Sequence, residues 1–195
     1  MSKAIAAVGA RRFSVPAEGG VRFGGYASLF GVADLGRDMV EAGAFAAALA
    51  KRGAAGIRML FQHDPAEPVG RWTALREDRH GLYVEGRLTP GVQKAEELAA
   101  LIGAGALDGL SIGFRTVRAR NDPRNAVRRI VEADLWEVSI VTFPMLPGAR
   151  LRALPEDFPA RPGAVDTETG RLAALRLAAE LRSATRQLHG KERAA

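Results

Sequence analysis

The chain has 195 residues, of which 47% are hydrophobic and 26% charged, as expected for a globular protein with one domain and an appendage. It contains no cysteine, which excludes disulfides, thiolate nucleophiles and thiolate metal sites. The net charge of +6 would suit a nucleic-acid or acidic protein partner, but the basic residues are scattered and only 6% of residues are aromatic, so nucleic-acid binding is the weaker interpretation.

Neither a targeting segment nor a membrane span is evident in the sequence. The apolar run at the N-terminus is too short for a signal peptide, and no run approaches the roughly 18 apolar residues of a membrane-spanning helix. We therefore expect a cytoplasmic protein without a membrane partner.

The first half of the chain alternates short strand patterns with turns and one alanine-rich helix. Aromatic and branched residues bounded by Pro and Gly indicate the strands, and a basic last turn followed by Gly53 indicates the helix end. The pair Gly24-Gly25 suggests a bulge or a sharp bend. The predicted elements are strands at residues 12–15, 21–30, 57–61, 69–75 and 82–88, a loop at 31–41 and a helix at 42–52, with the last two strands forming a hairpin.

The second half begins with a helix predicted at residues 92–102, with Thr89 or Pro90 near its N-cap and Gly103 near its end. A strand containing Ser111 follows. An arginine-rich polar turn is predicted at 118–129 and a long strand at 128–143. After residue 154 the composition changes to a proline-rich linker and then, at 167–189, to a helix whose apolar residues recur at steps of three and four.

Several short strands with two short helices between them predict an α+β fold, most simply a mostly antiparallel β-barrel flanked by short helices. The regular strand–helix alternation of a doubly wound sheet is missing. The composition change divides the chain into a domain at residues 1–154 and a helical tail at residues 155–195.

Ser111 is the first candidate for chemistry because glycine lies two residues before it and two residues after it. Gly109 and Gly113 would allow a backbone, or a bound peptide, to come close to the Ser111 hydroxyl. The alternative is an ordinary strand start in which the glycines relieve a bend.

A serine hydroxyl becomes a useful nucleophile when a neighbouring imidazole takes its proton and a third group orients the imidazole. Of the three histidines, only His63 closes an apolar strand, whereas His80 and His189 are expected to be solvated. Glu137 is the preferred orienting acid because strand alternation places it among apolar neighbours, Leu135 and Val141, where a carboxylate needs a partner. Asp134 is the other candidate.

The histidines do not form a metal motif. No His-x-x-x-His or His-x-Glu pattern brings two ligands to one face, and the acidic loop at residues 31–41 lacks the spacing of a calcium site. We expect neither a metal nor a cofactor.

Seven short motifs in order resemble the prohead proteases of tailed bacteriophages, the capsid-maturation serine peptidases that also occur in prophages and gene transfer agents. The resemblance covers roughly residues 12–152, and the ordered set is more specific than any single motif. The motifs are Gly-Tyr-Ala-Ser-Leu-Phe-Gly at 25–31, Glu-Ala-Gly-Ala-Phe at 41–45, Gln-His-Asp at 62–64, Pro-Val-Gly-Arg-Trp at 68–72, Gly-Leu-Tyr-Val at 81–84, Gly-Leu-Ser-Ile-Gly-Phe at 109–114 and Leu-Trp-Glu-Val-Ser at 135–139.

The resemblance implies a fold shared with the herpesvirus maturation proteases and a serine endopeptidase activity. In that family Ser111 matches the nucleophile, His63 the general base and Glu137 the third member, a position held by a second histidine in the herpesvirus enzymes. The turn at residues 144–150 matches the source of the oxyanion hole. The implied partners are the scaffolding segment of the major capsid protein and the protease itself. The implied location is the assembling procapsid in the cytoplasm of a bacterial host cell, and a homo-oligomer is a further expectation.

Two alternatives remain at this point. The chain could be a catalytically inactive capsid-assembly or scaffolding protein, or a basic nucleic-acid-binding module. The tail at residues 155–195 is expected to be removable, or to tether the enzyme to scaffold.

Overall fold

The computed structural model describes residues 20–154. The strand predicted at residues 12–15 and the tail at residues 155–195 lie outside the described residues. Within them the elements are β1 Arg22–Leu29, β2 Asp38–Val40, α1 Ala46–Arg52, a 3₁₀ turn Ala54–Gly56, β3 Arg58–Phe61, β4 Asp64–Glu77, β5 Gly81–Leu88, α2 Gln93–Gly103, β6 Gly109–Asp122, β7 Val127–Val141 and β8 Leu151–Ala153.

The eight strands form one mostly antiparallel sheet in which β6 pairs with β7 along one edge of β7. On the opposite edge of β7, β2 pairs with residues 128–130 and β3 with residues 137–140. From β3 the sheet continues in the order β4, β5, β1 and β8. Among the strands of residues 20–154, only the β2–β7 and β3–β7 pairs are parallel. An antiparallel bridge between Gly109 and Arg150 links the start of β6 to the chain just before β8. The sheet therefore curls toward a barrel, because this bridge joins its two ends.

The interior of the curled sheet is the hydrophobic core. Strands alternate apolar and polar side chains, and the two short helices add one buried face each, Ala48 on α1 and Ala95, Leu98 and Ile102 on α2. The largest fully buried side chains are Phe23, Phe45, Met59, Val69, Leu82, Val84, Leu98, Leu110, Ile130, Leu135, Val138 and Ile140. Among residues 20–154, no helix has the length and apolar character needed to cross a membrane.

Most elements predicted within residues 20–154 are present, with several differences. The loop predicted at residues 31–41 contains β2, β4 begins at Asp64 and not at residue 69, and no strand was expected at β8. Helix α2 has Val92 as its N-cap and makes no side-chain cap hydrogen bond, so neither Thr89 nor Pro90 caps it. The arginine-rich segment is mainly strand, because β6 and β7 stay paired as far as Asp122 and Val127 and leave a turn of residues 123–126. An ion pair of 2.8 Å between Arg129 and Asp122 supports this extension.

Candidate active site

Strand β7 lies at the centre of the candidate site because the two strands that carry or precede the candidate residues pair with it. Leu60 of β3 and Ser111 of β6 both pair with Ser139 of β7, one from each side. Directly paired residues on neighbouring strands share a face of the sheet. Three segments distant in sequence therefore meet where β7 carries Glu137 and Ser139.

His63 lies in the tight turn between β3 and β4, whose flanking residues Phe61 and Asp64 pair directly. Both turn residues have positive φ angles, 53° at Gln62 and 61° at His63, as in the mirror-image two-residue turns that match the twist of a hairpin. Neither residue is glycine, so the turn holds two side chains in a sparsely populated backbone region. This conformation directs His63 to the β7 side of the hairpin, where its contacts lie.

The His63 imidazole faces Glu137, with 2.6 Å between Nδ1 of the ring and Oε1 of the carboxyl group. This hydrogen bond and the negative charge of Glu137 raise the pKa of His63 above its ordinary value of 6.5, against the opposing effect of burial. Because Nδ1 is engaged, Nε2 is the nitrogen left to exchange a proton with another group.

Ser139 of β7, which is fully buried, holds His63 and Glu137 in place. Its hydroxyl donates a hydrogen bond of 2.7 Å to Oε2 of Glu137 and accepts one of 3.1 Å from the backbone N–H of His63. One hydroxyl therefore holds the carboxyl group and the histidine backbone together. Sequence reasoning assigned Ser139 no role, although the alternation Glu-Val-Ser placed it on the same face as Glu137.

Replacing Ser139 by alanine is expected to lower the free energy of unfolding by about 1–3 kcal/mol, because two hydrogen-bonding groups lose their partner in a buried place. Urea denaturation measures the change. Ser28→Ala is the matched control, since Ser28 is also buried but its hydroxyl has no partner within residues 20–154. Equal losses in the two variants would contradict the bridging role of Ser139.

Ser111 lies on β6 and is 6% exposed. The hydrogen bonds that join His63, Glu137 and Ser139 do not include it, and its hydroxyl makes none to any residue that the structure describes. In ligand-free enzymes such catalytic hydrogen bonds are often long and form only with substrate present. Ser111 is thus a buried hydroxyl that is free to bond a new partner.

Gly113 locates the carboxyl group relative to Ser111. A Cβ atom built on Gly113 would lie 1.9 Å from Oε1 of Glu137, the same oxygen that contacts His63. The carboxyl group therefore lies directly over Gly113, on the face that Ser111 reaches two residues earlier. Gly109 has a different neighbour, since its Cβ would lie 2.3 Å from the Val141 carbonyl oxygen. The close approach of a backbone, one of the two alternatives expected from the sequence, is present at Gly109. At both glycines the side that a Cβ would occupy is filled by β7, so it is not left for a substrate peptide.

The other candidates lie elsewhere. Asp134 pairs with Arg52 at 2.7 Å and accepts a hydrogen bond from the Trp136 indole, so it belongs to a surface ion-pair group. His80 is exposed and accepts a hydrogen bond from Arg79, as expected for a solvated turn residue. His189 lies outside the described residues. Within 20–154, no group of three or more His, Asp or Glu side chains is arranged to hold a metal ion.

The turn at residues 144–150 runs beside the start of β6. The Leu110 N–H donates to the Ala149 carbonyl, and the Leu151 N–H donates to the Asp108 carbonyl. Arg150 also forms an ion pair with Asp108, at 2.5 Å. These hydrogen bonds and this ion pair hold the turn next to β6, the strand that carries Ser111.

The sequence profile described as "Caudovirus prohead serine protease" matches residues 10–160. The prohead protease of Enterobacteria phage HK97 is 39% identical over 137 residues, which cover 68% of this chain and 59% of that relative. The prohead protease of Escherichia phage T5 is 34% identical over 86 residues, covering 44% of this chain and 40% of that relative. The chain thus spans less than two thirds of the length of either.

Among solved structures, the capsid assembly protease gp21 of bacteriophage T4 superimposes with a TM-score of 0.54 at 17% identity, covering 64% of this chain and 84% of that one. The herpesvirus KSHV protease, solved with a hexapeptide phosphonate inhibitor, gives a TM-score of 0.48 at 16% identity, covering 71% and 66% of the two chains. The likeness to the T4 protein confirms the predicted fold class, a mostly antiparallel curled sheet with short helices.

Proposed function

Since this chain belongs to the caudovirus prohead serine protease family, we propose that it is a serine endopeptidase of capsid maturation with Ser111, His63 and Glu137 as its catalytic triad. The observation that carries the proposal is the contact between His63 and Glu137 on the face of β7 that Ser111 reaches from β6. A nucleophile, a base and an orienting acid in that order are the requirements for acyl transfer.

In the proposed reaction the Ser111 oxygen attacks the carbonyl carbon of the scissile peptide bond while Nε2 of His63 takes the hydroxyl proton. The tetrahedral intermediate collapses, the C–N bond breaks, and His63 returns the proton to the leaving amine. Water then attacks the acyl-enzyme, again giving a proton to His63, which passes it to Ser111 as the acid product leaves. No external oxidant, reductant or metal takes part in these steps.

Glu137 has two functions in this mechanism. Its contact with Nδ1 keeps the ring proton on that nitrogen and leaves Nε2 free to accept the Ser111 proton. The same contact stabilises the imidazolium that forms, which is the origin of the raised pKa of His63. Ser139 acts as a positioning residue because it holds both partners without reaching the reacting atoms.

The oxyanion of the tetrahedral intermediate needs backbone N–H donors near Ser111, and we assign these to the turn at residues 144–150. Support comes from two contacts that keep the turn next to Ser111: the Ala149 carbonyl accepts a hydrogen bond from the Leu110 N–H, and the Arg150 side chain pairs with Asp108.

The proposed substrates are the scaffolding segment of the major capsid protein and the protease chain itself, cleaved inside the assembling procapsid. Membership of the prohead protease family supports a capsid partner. The tail at residues 155–195, whose first eight residues include three prolines, is the proposed site of self-removal or of tethering to scaffold.

The test is to express the wild type and Ser111→Ala with the cognate capsid precursor and to follow both masses over time. We expect trimming of both chains with the wild type and unchanged masses with the variant. Cleavage that persists in Ser111→Ala would reject the assigned nucleophile. Unprocessed precursor in both would instead favour an inactive assembly protein.

Deleting residues 155–195 tests the tether. We expect the shortened protease to cleave added capsid precursor as before but to be depleted from purified procapsids, because the segment that binds scaffold is missing. The amount of protease per procapsid, measured by quantitative mass spectrometry, decides the matter. The inactive full-length Ser111→Ala is the control that cannot remove its own tail. Equal packaging of the two proteins would show that the tail is no tether.

A further inference from the structure

A cavity of about 230 Å³ opens beside Ser111. It is smaller than the roughly 300 Å³ at which sites for whole small-molecule ligands begin, so its size suits a single side chain. We call it the Ser111 pocket. Its wall combines apolar side chains, two serines and two aspartates, among them Ser28, Asp34, Asp38, Val40, Met145 and Leu146.

Ser28 is a buried polar group in this wall whose role the proposed mechanism leaves open. It is 3% exposed, and its hydroxyl has no hydrogen-bond partner among residues 20–154. Buried hydroxyls are usually paired, because leaving one unpaired costs free energy. A hydroxyl that lines a cavity without a partner is therefore available to a ligand.

The wall also carries a net negative charge. Asp38 is neutralised by Arg128, whose guanidinium donates to both oxygens of its carboxyl group at 2.7 and 2.5 Å. Asp34 forms no ion pair within residues 20–154, and Arg128 acts on it only at longer range than on Asp38. Its Oδ1 accepts a hydrogen bond of 2.9 Å from the Asp38 N–H, which fixes the carboxyl group without cancelling its charge. Two carboxylates and one guanidinium leave one negative charge at this wall, in a chain whose net charge is +6.

The mouth of the pocket is apolar and partly open to solvent. Val32 and Met145 are 46% and 47% exposed, although both line the cavity. The loop that carries Asp34 is held to this side by a hydrogen bond from the Leu35 N–H to the Met145 carbonyl. Apolar walls followed by a carboxylate match a side chain with an aliphatic stem and a cationic end.

We propose that the Ser111 pocket binds a lysine or arginine side chain of the substrate next to the scissile bond, with Asp34 as the residue that selects its charge. The inference rests on the proposed function, because it takes Ser111 as the attacking group. The methylene stem packs against Val40, Met145 and Leu146, and the cationic end reaches the Asp34 carboxylate. The Ser28 hydroxyl offers a further hydrogen bond inside the pocket.

The test is digestion of a mixed peptide library by the full-length protein, with cleavage sites mapped by mass spectrometry and Ser111→Ala as the blank. We expect wild-type sites to be enriched in lysine or arginine at one position adjoining the scissile bond. Two peptides are then made that differ there only by lysine or norleucine, which has a similar stem without the charge.

Asp34→Asn is expected to lower kcat/KM for the lysine peptide by about tenfold and to leave the norleucine peptide within about twofold. Asparagine keeps the oxygen that accepts the Asp38 N–H, so the loop stays folded, and the norleucine peptide reports on that directly. Glu132→Gln is the matched control: it removes one negative charge from β7 outside the pocket, where Glu132 contacts Arg118.

The outcomes separate the two hypotheses. Cleavage that depends on Ser111 but shows no preference for basic residues, or an equal loss for both peptides in Asp34→Asn, overturns the pocket assignment and leaves the proposed function standing. Cleavage that is unchanged in Ser111→Ala overturns the proposed function itself.

Discussion

Glu137→Gln is expected to lower kcat/KM by about 10³- to 10⁴-fold while leaving the fold in place, because an amide of the same shape no longer fixes the tautomer of His63. The glutamine side chain can still reach Ser139, but it cannot offer a carboxylate to Nδ1. Steady-state kinetics on the capsid precursor measures the loss. Asp134→Asn is the matched control, since that carboxylate binds Arg52 and Trp136 and not His63.

The pH profile of the same variants tests the cause of the loss. His63 must be neutral to act as base, and its pKa is raised above 6.5 by the hydrogen bond to Glu137. The acid limb of the wild-type profile is therefore expected above pH 6.5. In Glu137→Gln the raising effects disappear while burial still lowers the pKa, so the limb should move to lower pH. An unmoved limb would mean that another group titrates.

Stability should respond to pH with a defined sign. Because the pKa of His63 is higher in the folded than in the unfolded state, the His63–Glu137 contact stabilises the fold fully below about pH 6.5, and this contribution is lost as pH rises through the folded-state pKa. The difference in unfolding free energy between the wild type and Glu137→Gln should thus be largest in mild acid. Urea denaturation at several pH values measures it.

The three candidate residues could be selected from the sequence because each belongs to a pattern with a chemical reason. The strand alternation that selected Glu137 was nevertheless only partly correct. It grouped Leu135 with Glu137, but the register shifts between them, with Gly113 opposite Glu137 and Phe114 opposite Leu135. Trp136 is the extra residue of this bulge and is 51% exposed, while Leu135 lies in the core. A bulge reverses the alternation and has no signature in this stretch of sequence.

The turn at His63 is a second feature that could not be predicted from the sequence. Residues 62 and 63 are Gln and His, which lack the Asn-Gly or Gly-Gly signal of a two-residue hairpin, so sequence reasoning placed His63 at a strand end. The next strand was predicted only from residue 69, yet β4 begins at Asp64 and accommodates Pro65 and Pro68 with irregular register. The tertiary pairing of β3 with β7 determines this turn, and local propensity does not reveal it.

Gly113→Ala is expected to reduce kcat/KM by about 10²-fold or more, although the change adds a single methyl group outside the proposed triad. The new Cβ would lie 1.9 Å from Oε1, 2.6 Å from Cδ and 2.8 Å from Cγ of Glu137, distances that no side chain tolerates. The carboxyl group must therefore move. Because His63 and Ser139 hold its two oxygens, any movement breaks a contact that orients the imidazole.

A double-mutant cycle distinguishes this mechanism from general damage to the fold. If Gly113→Ala acts through Glu137, it should cost little further activity in a Glu137→Gln background, because the interaction it disrupts is already lost. Gly86→Ala is the steric control: its Cβ would lie 2.4 Å from Met59 and 2.8 Å from Trp72, away from the site. That variant should lose stability without losing kcat in the folded fraction. Full additivity in the cycle, or an equal loss of kcat in Gly86→Ala, would show that crowding in the sheet and not displacement of Glu137 lowers activity.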